Sequence, residues 1–354
     1  MERLGLVGLP NSGKSSLFNA LTGASSVVAA HPFSTTETTV GIAHVSDERV
    51  DLLGEMSHSK KLVYTSFEIL DIAALVKGSS GGEGLGNSFL GSLRDCDAIL
   101  FVLRAFEDDA VPGDTDPAAA LDTLELELVL ADLASAEGRL SRQQRAAKGD
   151  KTLAGEVAAL ARAVAVLGDG VPIYRSDLTG DEREHLAAAF LLTDKPVLVV
   201  VNIGEDQLDR ADEVASSVSR GDDVLAVCLQ LEAEAGALDP DSRAEMLEGL
   251  GLGIGVLPRV ARAAYHLLGR RTFLTTGDKE TRAWTFRAGS KAPECAGVIH
   301  SDLQRGFIRA EVIEWRELLE IGSWAKAKEQ GRLRVEGKDY IVLDGDVLEI
   351  RFNV

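Results

Sequence analysis

The stretch that most constrains the fold is Gly8-Leu9-Pro10-Asn11-Ser12-Gly13-Lys14-Ser15, which fits the P-loop pattern G-x-x-x-x-G-K-[ST]. The apolar run Arg3–Val7 predicts a buried strand before it, and Ser16–Leu21 begins with helical spacing after it. In a strand, glycine-rich turn and helix, backbone N–H groups and the helix dipole bind phosphate. The sequence therefore predicts an α/β nucleotide-binding domain. The expected phosphate-binding residues are Asn11, Ser12, Gly13, Lys14, Ser15 and Ser16.

Two side chains of this motif have defined chemistry. Lys14 is expected to reach the β and γ phosphates, and the Ser15 hydroxyl to ligate Mg²⁺. In GTPase-type folds the loop after the first helix adds a threonine to the metal. Thr35 is the better candidate and Thr36 the second, in a loop marked by Pro32. Mg²⁺ is therefore the expected cofactor.

A carboxylate is also expected near the Mg²⁺ ion. The alternating run Tyr64–Leu70 ends on Asp71, at the carboxyl end of a predicted strand. Lys14 and Asp71 are the expected catalytic residues. Asp71 begins a segment that differs from the D-x-x-G motif only in its last residue, where Ala74 replaces the glycine. Leu75 follows at the position where some GTPases use a glutamine to orient the attacking water. The glycine-rich stretch 78–87 that follows is predicted to be a nucleotide-sensitive switch.

The base-recognition segment also departs from the GTPase pattern. The apolar run Pro196–Val201 predicts a buried strand, and Asn202-Ile203-Gly204-Glu205 follows where GTPases carry N-K-x-D. Ile203 replaces the lysine, and Glu205 replaces the aspartate that pairs with guanine. The longer side chain of Glu205 would crowd or miss guanine, so base selection is expected to be relaxed or moved towards adenine.

Bulk properties exclude several classes of protein. The chain has 354 residues, 45% hydrophobic and 26% charged, without an apolar run of the length that a membrane span needs. Because the first residues enter the P-loop strand, we expect no signal peptide. Cys96, Cys228 and Cys295 are few and far apart, which favours packed thiols in a reducing cytoplasm. The net charge of −19 opposes broad nucleic-acid binding, but residues 273–354 hold 13 basic and 14 acidic residues and could face RNA locally.

The periodicity beyond the P-loop predicts further domains. Residues 117 to about 147 and a second stretch through Leu167 have helical spacing and predict an antiparallel helical hairpin, and Thr179 opens a further helix with a capping box. Short strands and one short helix predict a small, mostly antiparallel α+β domain from about Thr272. We therefore expect a nucleotide-binding domain at 1–116 and 190–271, an inserted helical arm at 117–189, and a C-terminal domain at 272–354.

Together these segments resemble the Obg-like ATPase family, also called YchF, a branch of the translation-factor-related P-loop GTPases. The resemblance covers essentially the whole chain. The segments that carry it are GLPNSGKSS (8–16), HPFSTTE (31–37), DIAALVKG (71–78), GEGLGNSFL (82–90), RAFEDD (104–109), NIGE (202–205), RAWTF (282–286), GFIRAEV (306–312), EGKDYIVLDGDV (336–347) and the final FNV (352–354).

The resemblance implies a function. It implies an OBG-type G domain with a mostly parallel sheet, a coiled-coil-like arm, and a C-terminal TGS domain. It implies hydrolysis of ATP in preference to GTP and association with the ribosome or its large subunit. Asn202 and Ile203 would then contact adenine beside Glu205, and Asn11 stands where related GTPases hold K⁺. A cytoplasmic monomer is expected.

Two departures from the family pattern predict slow hydrolysis. Ala74 ends the D-x-x-G motif, and the loop after Arg104–Asp109 lacks the family's histidine, with Ala110 nearest its place. Ala110 cannot relay a proton or orient water. Ala74 keeps the N–H that the motif's glycine offers to the γ-phosphate, but its Cβ penalises any geometry with positive φ there. Two alternatives stay open: a GTPase of the same fold, and a ribosome- or RNA-binding module with a weakened nucleotide site.

Overall fold

The structure, a computed structural model, describes residues 2–23, 27–30, 38–72 and 85–353. It divides into two units. One comprises Met1–Ala43 and Glu68–Val260, and the other comprises His44–Phe67 and Ala261–Val354. The second unit differs from the expected C-terminal domain, because it includes residues 44–67 and begins at 261. The expected boundaries of the inserted arm stay a prediction.

The described strands, in chain order, are β1 (Arg3–Val7), β2 (Val27–Ala30), β3 (Thr39–Val45), β4 (Leu62–Val63), β5 (Thr65–Asp71), β6 (Ala98–Arg104), β7 (Val197–Asn202), β8 (Val224–Val227), β9 (Arg270–Thr275), β10 (Thr281–Arg287), β11 (Phe307–Glu314), β12 (Arg334–Glu336) and β13 (Asp346–Phe352). The described α-helices are α1 (Lys14–Thr22), α2 (Glu48–Met56), α3 (Leu85–Arg94), α4 (Pro117–Ala146), α5 (Ala154–Gly168), α6 (Gly180–Leu186), α7 (Ala211–Val218), α8 (Leu229–Gly236), α9 (Pro240–Gly249), α10 (Leu257–Leu267), α11 (Ala292–Ile299), α12 (Ser301–Arg305), α13 (Trp315–Ile321) and α14 (Trp324–Glu329).

The nucleotide-binding fold is built on a seven-stranded sheet with the order β2-β3-β5-β1-β6-β7-β8. The pairs from β5 through β8 are parallel, and β2 runs antiparallel to β3. Every residue of β6 and β7 is buried, as expected for central strands of a sheet covered on both faces. The predicted α/β fold with a mostly parallel sheet is confirmed. Parallel order brings the carboxyl ends of β1, β5 and β7 to one edge of the sheet.

The helical arm forms where the periodicity predicted it. Asp116 caps α4, and its carboxylate accepts the N–H groups of Ala118 and Ala119. A separate apolar core joins α4, α5 and α6. Its buried members are Val129, Ala136, Ala159, Leu160, Ala163, Leu167, Ile173, Leu178, Leu186 and Leu191. The capping box predicted at Thr179 is present, with Glu182 as its partner.

One buried carboxylate joins α4 to the segment before β7. Asp132 is fully buried, and it accepts the N–H groups of Leu192 (2.9 Å) and Thr193 (2.7 Å) and the Thr193 hydroxyl (2.7 Å). Burial raises the pKa of Asp132, although these hydrogen bonds partly oppose the shift. The hydrogen bonds satisfy backbone groups that would otherwise be buried without partners.

The second unit has a six-stranded sheet with the order β12-β11-β13-β9-β10-β4. Residues 44–67 join this unit because β4 pairs in parallel with Thr281 and Arg282 of β10, and because α2 contributes Val50 and Leu53 to an apolar core with Leu274. Neither contact has a local sequence signal, since the partners lie more than 200 residues apart. The strand expected at residues 341–343 is reduced to one bridge, Lys291 to Ile341.

Among the residues that the structure describes, no helix is long and apolar enough to cross a membrane.

Candidate nucleotide-binding site

The turn between β1 and α1 has the backbone geometry of a phosphate cradle. Gly13 has φ +94°, and a Cβ there would collide with the amide of Asn202. A Cβ at Gly8 would lie 2.7 Å from the carbonyl oxygen of Val102. Only glycine therefore fits at the two fixed glycine positions of the motif. No side chain caps α1, and its first turn holds no acidic residue, so its N-terminus can accept an anion.

The cationic and hydroxyl groups of the motif converge on Asp71. The Lys14 ammonium makes an ion pair with one carboxylate oxygen of Asp71, and the Ser15 hydroxyl donates a 2.7 Å hydrogen bond to the other. The two charged side chains are only 9% and 15% exposed, so this is not a surface ion pair. Asp71 therefore holds the two groups that the motif assigns to phosphate and Mg²⁺.

The same groups provide oxygen ligands that suit magnesium. The Ser15 hydroxyl and the Asp71 carboxylate are hard donors, and they lie within hydrogen-bond distance of each other. Among the described residues no group of three His, Cys, Asp or Glu side chains is arranged to hold a metal by itself. The arrangement therefore fits a Mg²⁺ ion that takes its remaining ligands from nucleotide phosphates and water. Thr35, the third expected ligand, lies outside the described residues, as do Thr36, Ala74 and Leu75.

Asn202 acts on the P-loop itself. Its amide nitrogen donates to the carbonyl oxygen of Ser12 (3.2 Å), and its amide oxygen accepts the N–H of Leu229 at the start of α8 (3.3 Å). The side chain is buried, as is Ile203. The structure thus brings the expected base segment against the phosphate loop, with both ends of the Asn202 amide engaged in protein contacts.

Glu205 occupies a different environment. It is exposed at the start of the short 3₁₀ helix Glu205–Arg210. The turn before it is fixed by Gln207, which accepts the N–H of Gly204 (2.9 Å) and donates to the carbonyl of Ala105 (3.1 Å). Ser16 is likewise exposed, on the first turn of α1. The structure therefore places an acidic side chain at the solvent side of the base segment.

The loop after Arg104–Asp109, where the sequence analysis placed the missing histidine, contacts the P-loop directly. Asn11, in the left-handed region with φ +64°, donates to the carbonyl oxygen of Pro112 at 2.9 Å. The buried Arg104 donates to the same oxygen (3.3 Å) and to the carbonyl of Phe106 (3.1 Å), and its guanidinium lies 4.4 Å from the centre of the Phe106 ring. In the sequence this loop is marked by the motif Arg104–Asp109. Nothing in the motif indicates that Arg104 donates a hydrogen bond to the carbonyl oxygen of Pro112 in the turn that follows.

A cavity of about 280 Å³ lies between this loop and the P-loop. Its lining is mainly apolar and includes Leu9, Pro10, Ser12, Val102, Leu103, Arg104, Pro112, Gly113, Asp114 and Ala120. The buried Ser12 hydroxyl has no hydrogen-bond partner in the described protein. Ala110, at the place of the family's histidine, is exposed, and its N–H donates to Asp108 (2.8 Å). Its methyl group offers no proton-transfer chemistry.

The cysteines play no part in this chemistry. All three are free and buried, as the sequence predicted. Burial raises the pKa of the Cys96 and Cys295 thiols to about 12 and also raises the pKa of Cys228, next to α8. Thiols with raised pKa values are poor nucleophiles.

The fold and the site define a P-loop nucleoside triphosphatase of the GTPase type. Residues 3–131 match the family model described as 50S ribosome-binding GTPase. Residues 271–353 match the YchF-GTPase C-terminal family, described as a protein of unknown function (DUF933).

The relatives that match the whole length of the chain identify its family. The chain is 44% identical over 361 residues to the ribosome-binding ATPase YchF of Bacillus subtilis, and 42% identical over 362 residues to that of Escherichia coli O157:H7, covering 99% of both chains in each comparison. The solved structure of the Schizosaccharomyces pombe YchF GTPase superposes with a TM-score of 0.84 at 31% identity, covering 99% of this chain and 97% of that one. The chain therefore belongs to the YchF family, and the resemblance seen in the sequence is confirmed.

Proposed function

We propose that this protein binds and slowly hydrolyses ATP and associates with the ribosome in a nucleotide-dependent way. The observation that carries the proposal is an intact P-loop, with Lys14, Ser15 and Asp71 in mutual contact, in a chain whose relatives are named ribosome-binding ATPases over their whole length. A cytoplasmic location accompanies ribosome association. The intact site also argues against a binding module that has lost its nucleotide.

The preference for ATP rests on the base segment. A guanine-selective site presents an aspartate to the two guanine N–H donors, whereas Glu205 is one methylene longer and is exposed to solvent. The buried Ile203 supplies an apolar residue where the GTPase pattern has a lysine. An apolar surface without a paired carboxylate tolerates adenine, whose Watson–Crick edge differs from that of guanine. We infer that Asn202, Ile203 and Glu205 form the base side of an ATP site.

Hydrolysis would depend on positioning and charge. Lys14 would move from Asp71 to the β and γ phosphate oxygens, where it would offset the charge that develops on the leaving group. The Ser15 hydroxyl would leave the Asp71 carboxylate and bind Mg²⁺ instead. Asp71 would then contact the metal through its bound water. Bound Mg²⁺ would polarise the phosphates. The loop around Ala110 supplies no group that orients the attacking water, which supports a low intrinsic rate.

Calorimetric titration tests base choice and site integrity together. ATP, ADP and GTP are titrated separately into the purified chain with Mg²⁺, and the Lys14→Ala variant serves as the control for phosphate binding. We expect ATP and ADP to bind at micromolar levels and GTP at least about tenfold more weakly, a difference of about 1.4 kcal/mol. Stronger binding of GTP would support the GTPase alternative. Loss of all binding in the wild type would support the binding-module alternative.

Steady-state phosphate release tests the rate. We expect turnover well below that of a relative with histidine in the loop after the R-x-F-E-x-D motif. A rate equal to that of such a relative would contradict the role given to Ala110.

Replacing Na⁺ by K⁺ at constant ionic strength tests Asn11 as a K⁺ ligand. We expect K⁺ to stimulate hydrolysis by the wild type and not by the Asn11→Ala variant.

Co-sedimentation tests the partner. The chain is mixed with large ribosomal subunits in the presence of ADP or of a non-hydrolysable ATP analogue, and the pelleted fraction is compared. We expect the two nucleotides to give different fractions. Lys14→Ala should abolish the difference between the two nucleotides, because a variant with impaired phosphate binding cannot respond to which nucleotide is present. Equal pelleting of the wild type with both nucleotides would refute a nucleotide-dependent association.

A further inference from the structure

The charge of the helical arm is divided sharply along its length. From its start to residue 138, α4 carries five acidic residues and no basic one. From residue 139 the sign reverses, and basic residues recur at every third position through the end of the helix and the following turn. These residues are Arg139, Arg142, Arg145, Lys148 and Lys151, with Asp150 as the one acid among them. In a chain of net charge −19 this far end of the arm is locally cationic.

Four of the five cations are available to a partner. Arg142, Arg145, Lys148 and Lys151 are exposed, and among the described residues none of them makes an ion pair. Arg139 differs, because it is paired with Glu156 of α5. We call the four available residues the distal basic cluster. Each three-residue step along a helix advances about 4.5 Å, so the arginines belong to a row of charges.

The acidic groups near the cluster are already engaged. Glu156 accepts the side-chain N–H groups of Arg139 (2.7 Å) and Gln143 (3.0 Å). The Asp150 carboxylate accepts the N–H (2.9 Å) and hydroxyl (2.6 Å) of Thr152. Helix-dipole stabilisation does not account for the cluster, since only Arg145 lies in the last turn of α4.

The cluster lacks the features of a protein-binding surface. The apolar core of the arm ends near Leu140, and residues 141–152 contain no aromatic or large aliphatic side chain. Protein interfaces are centred on such anchors and are depleted in lysine. The absence of aromatic side chains also removes the aromatic stacking platforms that single-strand recognition mainly uses. Cations without apolar anchors suit the phosphates of a duplex, and arginine can contact phosphate with two parallel hydrogen bonds.

We propose that the distal basic cluster is an RNA-docking surface, which binds the phosphate backbone of double-stranded RNA without reading its sequence. The proposal deepens the proposed function, since it identifies the surface of the arm that meets ribosomal RNA. The acidic first part of α4 would be repelled by the same polyanion, so the arm would approach with its far end first. The contact differs from residues 273–354, the region whose near-neutral charge left it able to face RNA in the sequence analysis.

The experiment measures binding of the full chain to a labelled RNA duplex of about 20 base pairs by fluorescence anisotropy, from 50 to 200 mM KCl. Four phosphate contacts predict a slope of log K against log [salt] of about −3.6, which is a loss of roughly 150-fold in affinity over this range. In the variant Arg142→Gln/Arg145→Gln/Lys148→Gln/Lys151→Gln, we expect the magnitude of the slope to decrease by about 3.6 and the affinity at 50 mM to fall at least about tenfold. Arg142→Lys/Arg145→Lys, which keeps the charge, should keep the slope.

A matched variant removes four cations elsewhere. Lys279, Arg287, Lys326 and Lys338 of the second unit are exposed and make no ion pair with any residue that the structure describes. Their joint change to glutamine should alter the slope by less than 1 unit. Equal losses in both fourfold variants would show general charge attraction and would overturn the assignment to the arm.

None of these four control side chains is paired with a carboxylate in the part of the chain that the structure describes. Both fourfold variants should fold like the wild type, because the substituted side chains lie outside the apolar cores. Circular dichroism and the thermal midpoint check this, and a shift of less than about 2 °C is expected.

Two further outcomes separate this proposal from the proposed function. If the arm variant binds the duplex with the wild-type slope but no longer pellets with large subunits, the arm meets a ribosomal protein, and the RNA assignment is wrong. If the wild type neither binds ATP nor pellets with subunits, the proposed function fails, while the duplex titration still decides the RNA assignment.

Discussion

Replacing Asp71 by asparagine should tighten the binding of nucleotide in the absence of Mg²⁺. Asp71 pairs with Lys14 and accepts from Ser15, so an incoming β-phosphate must displace a carboxylate that already holds both groups. A hydrogen bond to a charged group contributes about 1.5–3 kcal/mol, and the low exposure of both charged side chains keeps this pair above the range of surface ion pairs. Removing the competition should therefore raise the affinity for ADP in EDTA by roughly 10- to 150-fold.

The same variant should lose affinity when Mg²⁺ is present, because Asp71 is then needed beside the metal. The readout is the dissociation constant of ADP in EDTA divided by that in Mg²⁺, both measured by calorimetry. This ratio should be much smaller in Asp71→Asn than in the wild type. Asp114→Asn is the matched control, since Asp114 lines the neighbouring cavity, whereas the ion pair of Lys14 is with Asp71. ADP binding in EDTA that is no tighter than in the wild type would refute the competition.

Two other substitutions test the framework of the site. Asp132→Ala should lower the free energy of unfolding by about 3 kcal/mol or more in urea titrations, because it strands buried N–H groups, whereas Asp132→Asn should cost about half as much; a loss below 1 kcal/mol in the alanine variant would contradict this. Gly13→Ala should weaken ATP binding by at least about tenfold, since its Cβ meets Asn202 at a positive φ. Gly23→Ala, with φ +65° and open space around it, should bind ATP like the wild type, and equal losses in the two variants would point to backbone strain alone.

Local patterns predicted the parts of the site that lie next to each other in sequence. The P-loop turn, the strand that ends on Asp71 and the strand that ends on Asn202 each have a short motif, and parallel order brings their ends together. The long α4 also followed from its periodicity. In each case the information is confined to about ten to thirty neighbouring residues.

The features that the sequence did not reveal are contacts between distant residues. Asn11 and Pro112 are 101 positions apart, and their hydrogen bond depends on a left-handed backbone at Asn11 that no pattern required. The addition of residues 44–67 to the second unit depends on β4, a strand of only two residues. A two-residue strand has no periodicity to detect, so only the assembled sheet shows it.

The length of α4 has a mechanical consequence. Its 30 residues form one helix about 45 Å long, and its first half is fixed by the hydrogen bonds of Asp132 to the segment that leads into β7. The part of α4 beyond Asp132 is about 21 Å long and would move as a lever about that contact. A rotation of about 5° at Asp132 would displace the far end of the helix by about 2 Å. A sub-ångström adjustment beside the phosphates would thus be magnified into a displacement that a large partner can register.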